Sequence, residues 1–153
     1  KMEELFIRNS IEINAPSAVI WDILTNPEMT KTYMFGCEAV STWEVGSELL
    51  WKGNYQGKDM IFVKGHVVTL EPTTKLVYTT FDPNSNIKDI PENYLNVTYL
   101  LKEKNGITTF TVTQGDYNKV EEGAKRYIEG SNNGEGWNPI LIEIKKLAEE
   151  LQK

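Results

Sequence analysis

Between Leu5 and Ile13 the chain is rich in isoleucine, and its pattern alternates over Ile7, Asn9, Ile11 and Ile13. A period of two is that of a β-strand, here with Ile11 and Ile13 on the core face. Asn14-Ala15-Pro16-Ser17 then breaks the strand and supplies helix-start chemistry. Val19, Ile20, Ile23 and Leu24 recur at helical spacing as far as Asn26-Pro27, which predicts a short first helix. Pro27 suits the first turn of a second short helix, which fades by Tyr33.

From Cys37 to Gln114 the period returns to two, punctuated by Gly46, Gly57, Pro72, the Asp82-Pro83-Asn84-Ser85-Asn86 cluster and Asn105-Gly106. The segments between these breaks predict six antiparallel strands. Alternation puts Leu49, Trp51 and Tyr55 on one face of the third strand of the chain, and Leu76 and Tyr78 on one face of the fifth. Val97, Tyr99 and Leu101 share a face of the sixth, and Phe110 and Val112 a face of the last. These faces are expected to line the concave side of a curved sheet. The strand from Met60 to Leu70 is apolar on both faces, so periodicity does not orient it.

After Tyr117 the pattern turns helical: an acidic, polar stretch to Glu129, a break over Gly130-Ser131-Asn132-Asn133-Gly134, and a last apolar stripe. That stripe, Trp137, Ile140, Leu141, Ile144, Leu147, Ala148 and Leu151, keeps helical spacing. Each large residue in it contributes about 1.5–3 kcal/mol if fully buried, so the helix must dock on a large apolar surface, and the sheet is the partner available. Asn138-Pro139 puts the start of this helix near Gly136 or bends it there.

The 153 residues carry no repeat, low-complexity tract or linker, and are read as one domain spanning 1–153. A domain of this length buries roughly 68–70% of the surface of its unfolded chain, enough for a sizeable core. A formal charge of −6, without basic runs interleaved with aromatics, argues against a nucleic-acid partner. No apolar stretch approaches the ~20 residues of a bilayer span, and acidic Glu3 and Glu4 stand where a leader would be basic. Cys37, the one cysteine, can form no internal disulfide. Together these features imply a cytoplasmic protein with no membrane insertion.

The order strand, two short helices, six strands, long C-terminal helix resembles the START-like, or SRPBCC, superfamily. More specific are Ile13-Asn14-Ala15-Pro16 followed by Val19-Ile20-Trp21-Asp22-Ile23-Leu24-Thr25-Asn26-Pro27-Glu28. Gly65-His66-Val67 with Glu71-Pro72, Leu76-Val77-Tyr78, and Gly136-Trp137-Asn138-Pro139-Ile140-Leu141-Ile142-Glu143-Ile144 complete the set. Over nearly the whole chain this resembles the branch named after the C-terminal domain of the activator of the heat-shock protein 90 ATPase. The resemblance implies an α+β helix-grip fold: a seven-stranded curved antiparallel sheet, two short helices, and a long C-terminal helix enclosing a cavity that takes apolar or aromatic molecules. It also implies that Trp137 and Leu141 pack onto the sheet. The chain departs from the usual pattern at Trp43-Glu44-Val45-Gly46 and at Pro139, both expected near the cavity mouth.

No catalytic constellation is legible. His66 is the single histidine and reads as strand surface; Cys37, with no basic motif beside it, reads as a buried structural thiol. No cluster has metal-ligand spacing, so neither a metal nor another cofactor is assigned. The glycines from Gly130 to Gly136 lack a preceding strand and a Gly-Lys-Ser/Thr ending, and read as a flexible hinge at the cavity mouth rather than a phosphate cradle. Asp116, Glu121 and Glu122 read as a solvated face.

The aromatic set is the informative one. Trp43, Trp51, Tyr55, Tyr78, Tyr99, Phe110 and Trp137, with Leu49, Gln114 and Leu141, are the candidate ligand-binding residues. Tryptophan and tyrosine suit the wall of a pocket with one wet end, because their polar atoms need partners. The expected function is binding of a small apolar or aromatic molecule, with polar tips from Tyr55, Tyr78, Tyr99 and Gln114. Two alternatives stand beside it: a protein-interaction module with a chaperone or other protein partner, and a cyclase- or hydrolase-like activity in the same pocket. The oligomeric state is left open.

Overall fold

A computed structural model describes residues 3–153. Strand β1 (Ile7–Ile13) is followed by helices α1 (Ser17–Thr25) and α2 (Pro27–Tyr33). Strands β2 (Glu38–Val40), β3 (Glu48–Tyr55), β4 (Lys58–Glu71), β5 (Lys75–Thr80), β6 (Leu95–Lys104) and β7 (Ile107–Gly115) come next. Helices α3 (Gly123–Ser131) and α4 (Asn138–Glu150) close the chain. The seven strands form one antiparallel sheet in the order β1-β7-β6-β5-β4-β3-β2. This is the helix-grip α+β architecture expected from the element order.

Turn chemistry explains the hairpins. Asn105 and Gly106 both have positive φ, 53° and 77°, as a two-residue turn between β6 and β7 requires. Gln56 and Gly57, at 52° and 82°, do the same between β3 and β4. The start of α2 is equally local. The Asn26 side chain accepts a hydrogen bond from the Glu28 N–H at 3.0 Å and caps α2, with Pro27 in the first turn. At α1 the cap comes from a distant strand: Glu103 on β6 accepts from the Ser17 N–H at 2.7 Å and from its hydroxyl at 3.0 Å.

Pro139 occupies the first turn of α4, so the helix begins at Asn138 without an internal kink. Leu141, Ile144 and Ala148 are buried, while Trp137, Ile140 and Leu147 are partly so, packed against the main core with Tyr99, Leu101 and Phe110. The helix lies over β1 and against α1 and α2. One member of the expected stripe fails: Leu151 follows the last helical residue and is 56% exposed, because the helix ends before it can be covered.

The pairing of β3 with β4 shifts register between Trp51 and Lys52: Trp51 opposes Val63 but Lys52 opposes Ile61, leaving Phe62 as an extra residue on β4. Phe62 and Val63, though adjacent, therefore both reach the same hollow. This settles the orientation of a strand that alternation could not orient. A second irregularity falls between Val67 and Thr69, opposite β5. Just before it, Gly65 is backed so closely by β5 that a Cβ would overlap the carbonyl oxygen of Thr79.

Candidate functional site

Helix α3, the Gly130–Gly136 segment and the start of α4 stand off the sheet and leave a cavity of about 930 Å³, open to solvent. Its apolar wall comes from Trp51 on β3, Phe62 and Val63 on β4, Tyr78 on β5, Val97 on β6 and Ile140 on α4. Gln114, at the end of β7, Tyr117, in the 3₁₀ turn that follows, and Arg126 of α3 add polar groups to the lining. The rim includes Phe35, which is 87% exposed and follows α2 with φ of 53°, and Asp82, Lys125 and Glu129.

The wall is held by an aromatic relay. Trp51 tilts against Tyr78 with ring centroids 6.1 Å apart, and Tyr78 meets Tyr99 edge to face at 5.3 Å. Tyr99 in turn meets Phe110 at 5.5 Å and Trp137 at 6.0 Å. The Tyr78 and Tyr99 hydroxyls are 2.6 Å apart and buried, so each finds its partner in the other. Burial pushes the ionisation of both phenols well above the ordinary value, and they stay protonated at neutral pH.

Trp137 is placed from two sides. Its backbone N–H donates to the Asn9 side chain at 2.9 Å, and its indole N–H donates to Gln114 Oε1 at 3.0 Å. Asn9 also reaches the Glu135 carbonyl at 3.4 Å, so the glycine-rich segment at the cavity mouth is tied to β1. Gly123, at the start of α3, sits where a Cβ would overlap the Tyr117 carbonyl oxygen, which fixes how closely α3 follows the turn.

Of the residues expected to bind a ligand, Trp51, Tyr78, Gln114 and Trp137 line the cavity. Leu49, Tyr99, Phe110 and Leu141 are buried in the core and do not reach the opening. Trp43 packs partly buried against the core from the β2–β3 connection, away from the lining, so the departure at Trp43-Glu44-Val45-Gly46 does not border the mouth. The departure at Pro139 does, since Pro139 lines the cavity.

Tyr55 is the clear correction. It is the last residue of β3, beside the Gln56-Gly57 turn, and is 55% exposed. Alternation assigns a face but does not reveal that a hairpin tip runs past the layer that would cover it. The expected polar tips also change: Tyr78 and Tyr99 satisfy each other, and Tyr55 is outside. Arg126 and Tyr117, which were not singled out from the sequence, line the cavity instead. The basic pair Lys125-Arg126, between Glu122 and Glu129, was the available signal for Arg126.

His66 is exposed on β4 and lies outside the lining. Cys37 is buried, and burial pushes its thiol up, although it forms part of the cavity edge. Asp116 is structural: it accepts from the backbone N–H groups of Leu5 and Asn118, each at 2.9 Å, and those bonds hold its carboxyl below the usual range. Among the described residues, no group of three or more His, Cys, Asp or Glu is placed to hold a metal ion. No helix among them is long and apolar enough to cross a membrane.

Residues 14–149 match the family model described as activator of Hsp90 ATPase homolog 1-like protein. The chain belongs to this family. Protein ChR145 from Cytophaga hutchinsonii is 35% identical, with 97% of each chain covered and a TM-score of 0.75. Protein NE0264 from Nitrosomonas europaea is 17% identical over 99% of each chain, with a TM-score of 0.74. The Aha1 dimer from Colwellia psychrerythraea is similar in fold at 17% identity and a TM-score of 0.67, covering 94% of this chain and 96% of that one. No functionally curated protein matches significantly. Membership in the Hsp90-activator-like family accounts for the helix-grip layout, and the details of the cavity wall belong to this chain's own residues.

Proposed function

We propose that this protein binds a small hydrophobic or aromatic molecule in the cavity between the sheet and helices α3 and α4. The observation that carries the reading is the cavity itself: about 930 Å³ with Trp51, Phe62, Val63, Tyr78, Val97 and Ile140 along its wall. Ligand pockets typically span ~300–1,000 Å³ and are mostly apolar with a few placed polar groups. Trp51, Tyr78, Gln114 and Trp137 are the proposed contacts expected from the sequence. A cytoplasmic setting is part of the proposal, supported by the single free thiol of Cys37.

Native mass spectrometry of the purified protein, beside titration of its tryptophan fluorescence with fatty acids, flavonoids and steroids, tests this directly. A co-purified mass or saturable quenching is expected, and Phe62→Glu, which sets a charge into the apolar wall, should weaken it at least about tenfold. Absence of saturable binding across the panel would remove the reading. A second reading is favoured by the family's description: contact with an Hsp90-type chaperone through an outer face. Purified chaperone ATPase assayed with and without this protein decides that case, and an unchanged rate counts against it.

A further inference from the structure

The polar groups of the cavity are distributed unevenly, and their hydrogen-bonding state says what they can still accept. On the β5–β6 side the Tyr78 hydroxyl is engaged with Tyr99. Elsewhere in the lining three donors remain. Gln114 uses its carbonyl oxygen to accept from Trp137, which leaves its amide N–H groups without a partner among the described residues. Tyr117 is 2% exposed, lines the cavity, and its hydroxyl makes no hydrogen bond within the described residues. Among the described residues no fully enclosed side-chain polar atom is left unsatisfied, so that hydroxyl keeps some access to solvent. Arg126, half-buried, donates one N–H to the Asn93 carbonyl at 3.0 Å and forms no ion pair among the described residues.

A guanidinium has five donors in a planar fork, and a desolvated one with a single carbonyl partner is short of acceptors. Burial lowers its affinity for the proton, while the charges of Asp82, Glu121 and Glu122 act from beyond contact range to hold it charged. Burial also pushes Tyr117 up to about 12, so at neutral pH its hydroxyl carries a proton to donate. Beside the rim carboxylates, Gln114, Tyr117 and Arg126 thus all have a proton to donate, and one of the three is cationic. The rim carboxylates Asp82, Glu122 and Glu129, set against Lys125 and Arg126, disfavour a multiply charged head such as a phosphate. A carboxylate, with about four lone-pair sites on its two oxygens, can accept from a guanidinium fork and still accept from a neutral donor.

We propose that Arg126, Tyr117 and Gln114 form a carboxylate-recognising end of the cavity, and that its ligand is an amphipathic monocarboxylate whose apolar body lies against Trp51 and Tyr78. This rests on the reading of the cavity as a ligand site. It adds the chemical class of the ligand and its orientation.

The test compares matched pairs that differ only in the head group: dodecanoate with dodecanol, and naphthylacetate with naphthylethanol. Each is titrated below its aggregation limit by tryptophan fluorescence and calorimetry. The carboxylate of each pair is expected to bind about tenfold or more tightly than its alcohol, as charge-assisted hydrogen bonds at a desolvated site do. In Arg126→Gln, and to a smaller extent in Tyr117→Phe, the ratio of the two dissociation constants should fall toward one. Arg126→Lys should recover only part of the ratio, because the charge returns without the fork. Thermal melts of each variant check that the fold persists. Equal binding of acid and alcohol by the wild-type protein would overturn the carboxylate end while leaving the apolar pocket standing. Failure of all four probes to bind would overturn both.

Discussion

The hydroxyls of Tyr78 and Tyr99 lie 2.6 Å apart in the core, on neighbouring strands, and each is the other's hydrogen-bond partner. Tyr78 lines the cavity, but its hydroxyl is engaged with Tyr99 in the core behind it. Tyr99→Phe would leave the Tyr78 hydroxyl buried and unsatisfied, at a cost of about 1–3 kcal/mol. Tyr78→Phe should cost a similar amount, and the double variant less than the sum, because neither orphan remains. Urea unfolding of the four proteins in the cycle measures this. Additive single effects would mean that the two hydroxyls do not depend on each other.

Alkaline pH should destabilise the protein from about pH 10 upward. Tyr33, Tyr78, Tyr99 and Tyr117 are buried, and burial raises all four above the ordinary value of 10.0. Below that pH both folded and unfolded chains hold the protons, and these groups leave stability unchanged. Above it the unfolded chain releases protons that the folded chain keeps, so stability falls through the folded values, about 12 for Tyr117. The slope is up to about 1.4 kcal/mol per pH unit for each fully buried phenol. Urea midpoints that stay level from about pH 9 to 11 would contradict the burial of these side chains.

Gly65→Ala should be among the most disruptive single substitutions in the sheet. The added methyl would meet the Thr79 carbonyl oxygen, a backbone atom that cannot rotate away. Overpacking of this kind typically costs about 1–3 kcal/mol, and here it would also part β4 from β5 beside the cavity. A melting temperature equal to that of the parent would show that the two strands are less closely apposed.

Cys37, the single cysteine, reports on the cavity edge. Burial raises its thiol, so alkylation by iodoacetamide at neutral pH should be slower than for an exposed cysteine. Saturating dodecanoate should slow it further, about severalfold, by occupying the adjacent space. Intact-mass spectrometry counts a single adduct against time; labelling that ignores the ligand would place the bound molecule away from Cys37.

Much of this architecture was legible because its causes are local. Asn105-Gly106 forces a tight hairpin wherever it falls between two alternating runs, and Pro27 behind Asn26 starts a helix through its own geometry. The stripe from Trp137 to Ala148 buries one face of α4 on the core, as its spacing required. The site was less legible because it is built from depth, which periodicity does not encode. Leu49 and Phe110 obey the same alternation as Trp51 and Val97, yet the first two are sealed in the core and the second two reach the hollow.

By itself the sequence determined the order of the elements, the turns that pair the strands, the amphipathic C-terminal helix and the family. Each follows from backbone preferences and hydrophobic spacing within a few residues. Only the tertiary structure decided which aromatics became wall and which became core, because that depends on where α3 and α4 stop above the sheet. It alone turned both Phe62 and Val63 to the hollow through a register shift, left Tyr55 outside at a hairpin tip, and brought Gln114, Tyr117 and Arg126 into one cavity lining. Those outcomes turn on contacts between segments far apart in the chain, and no local pattern carries them.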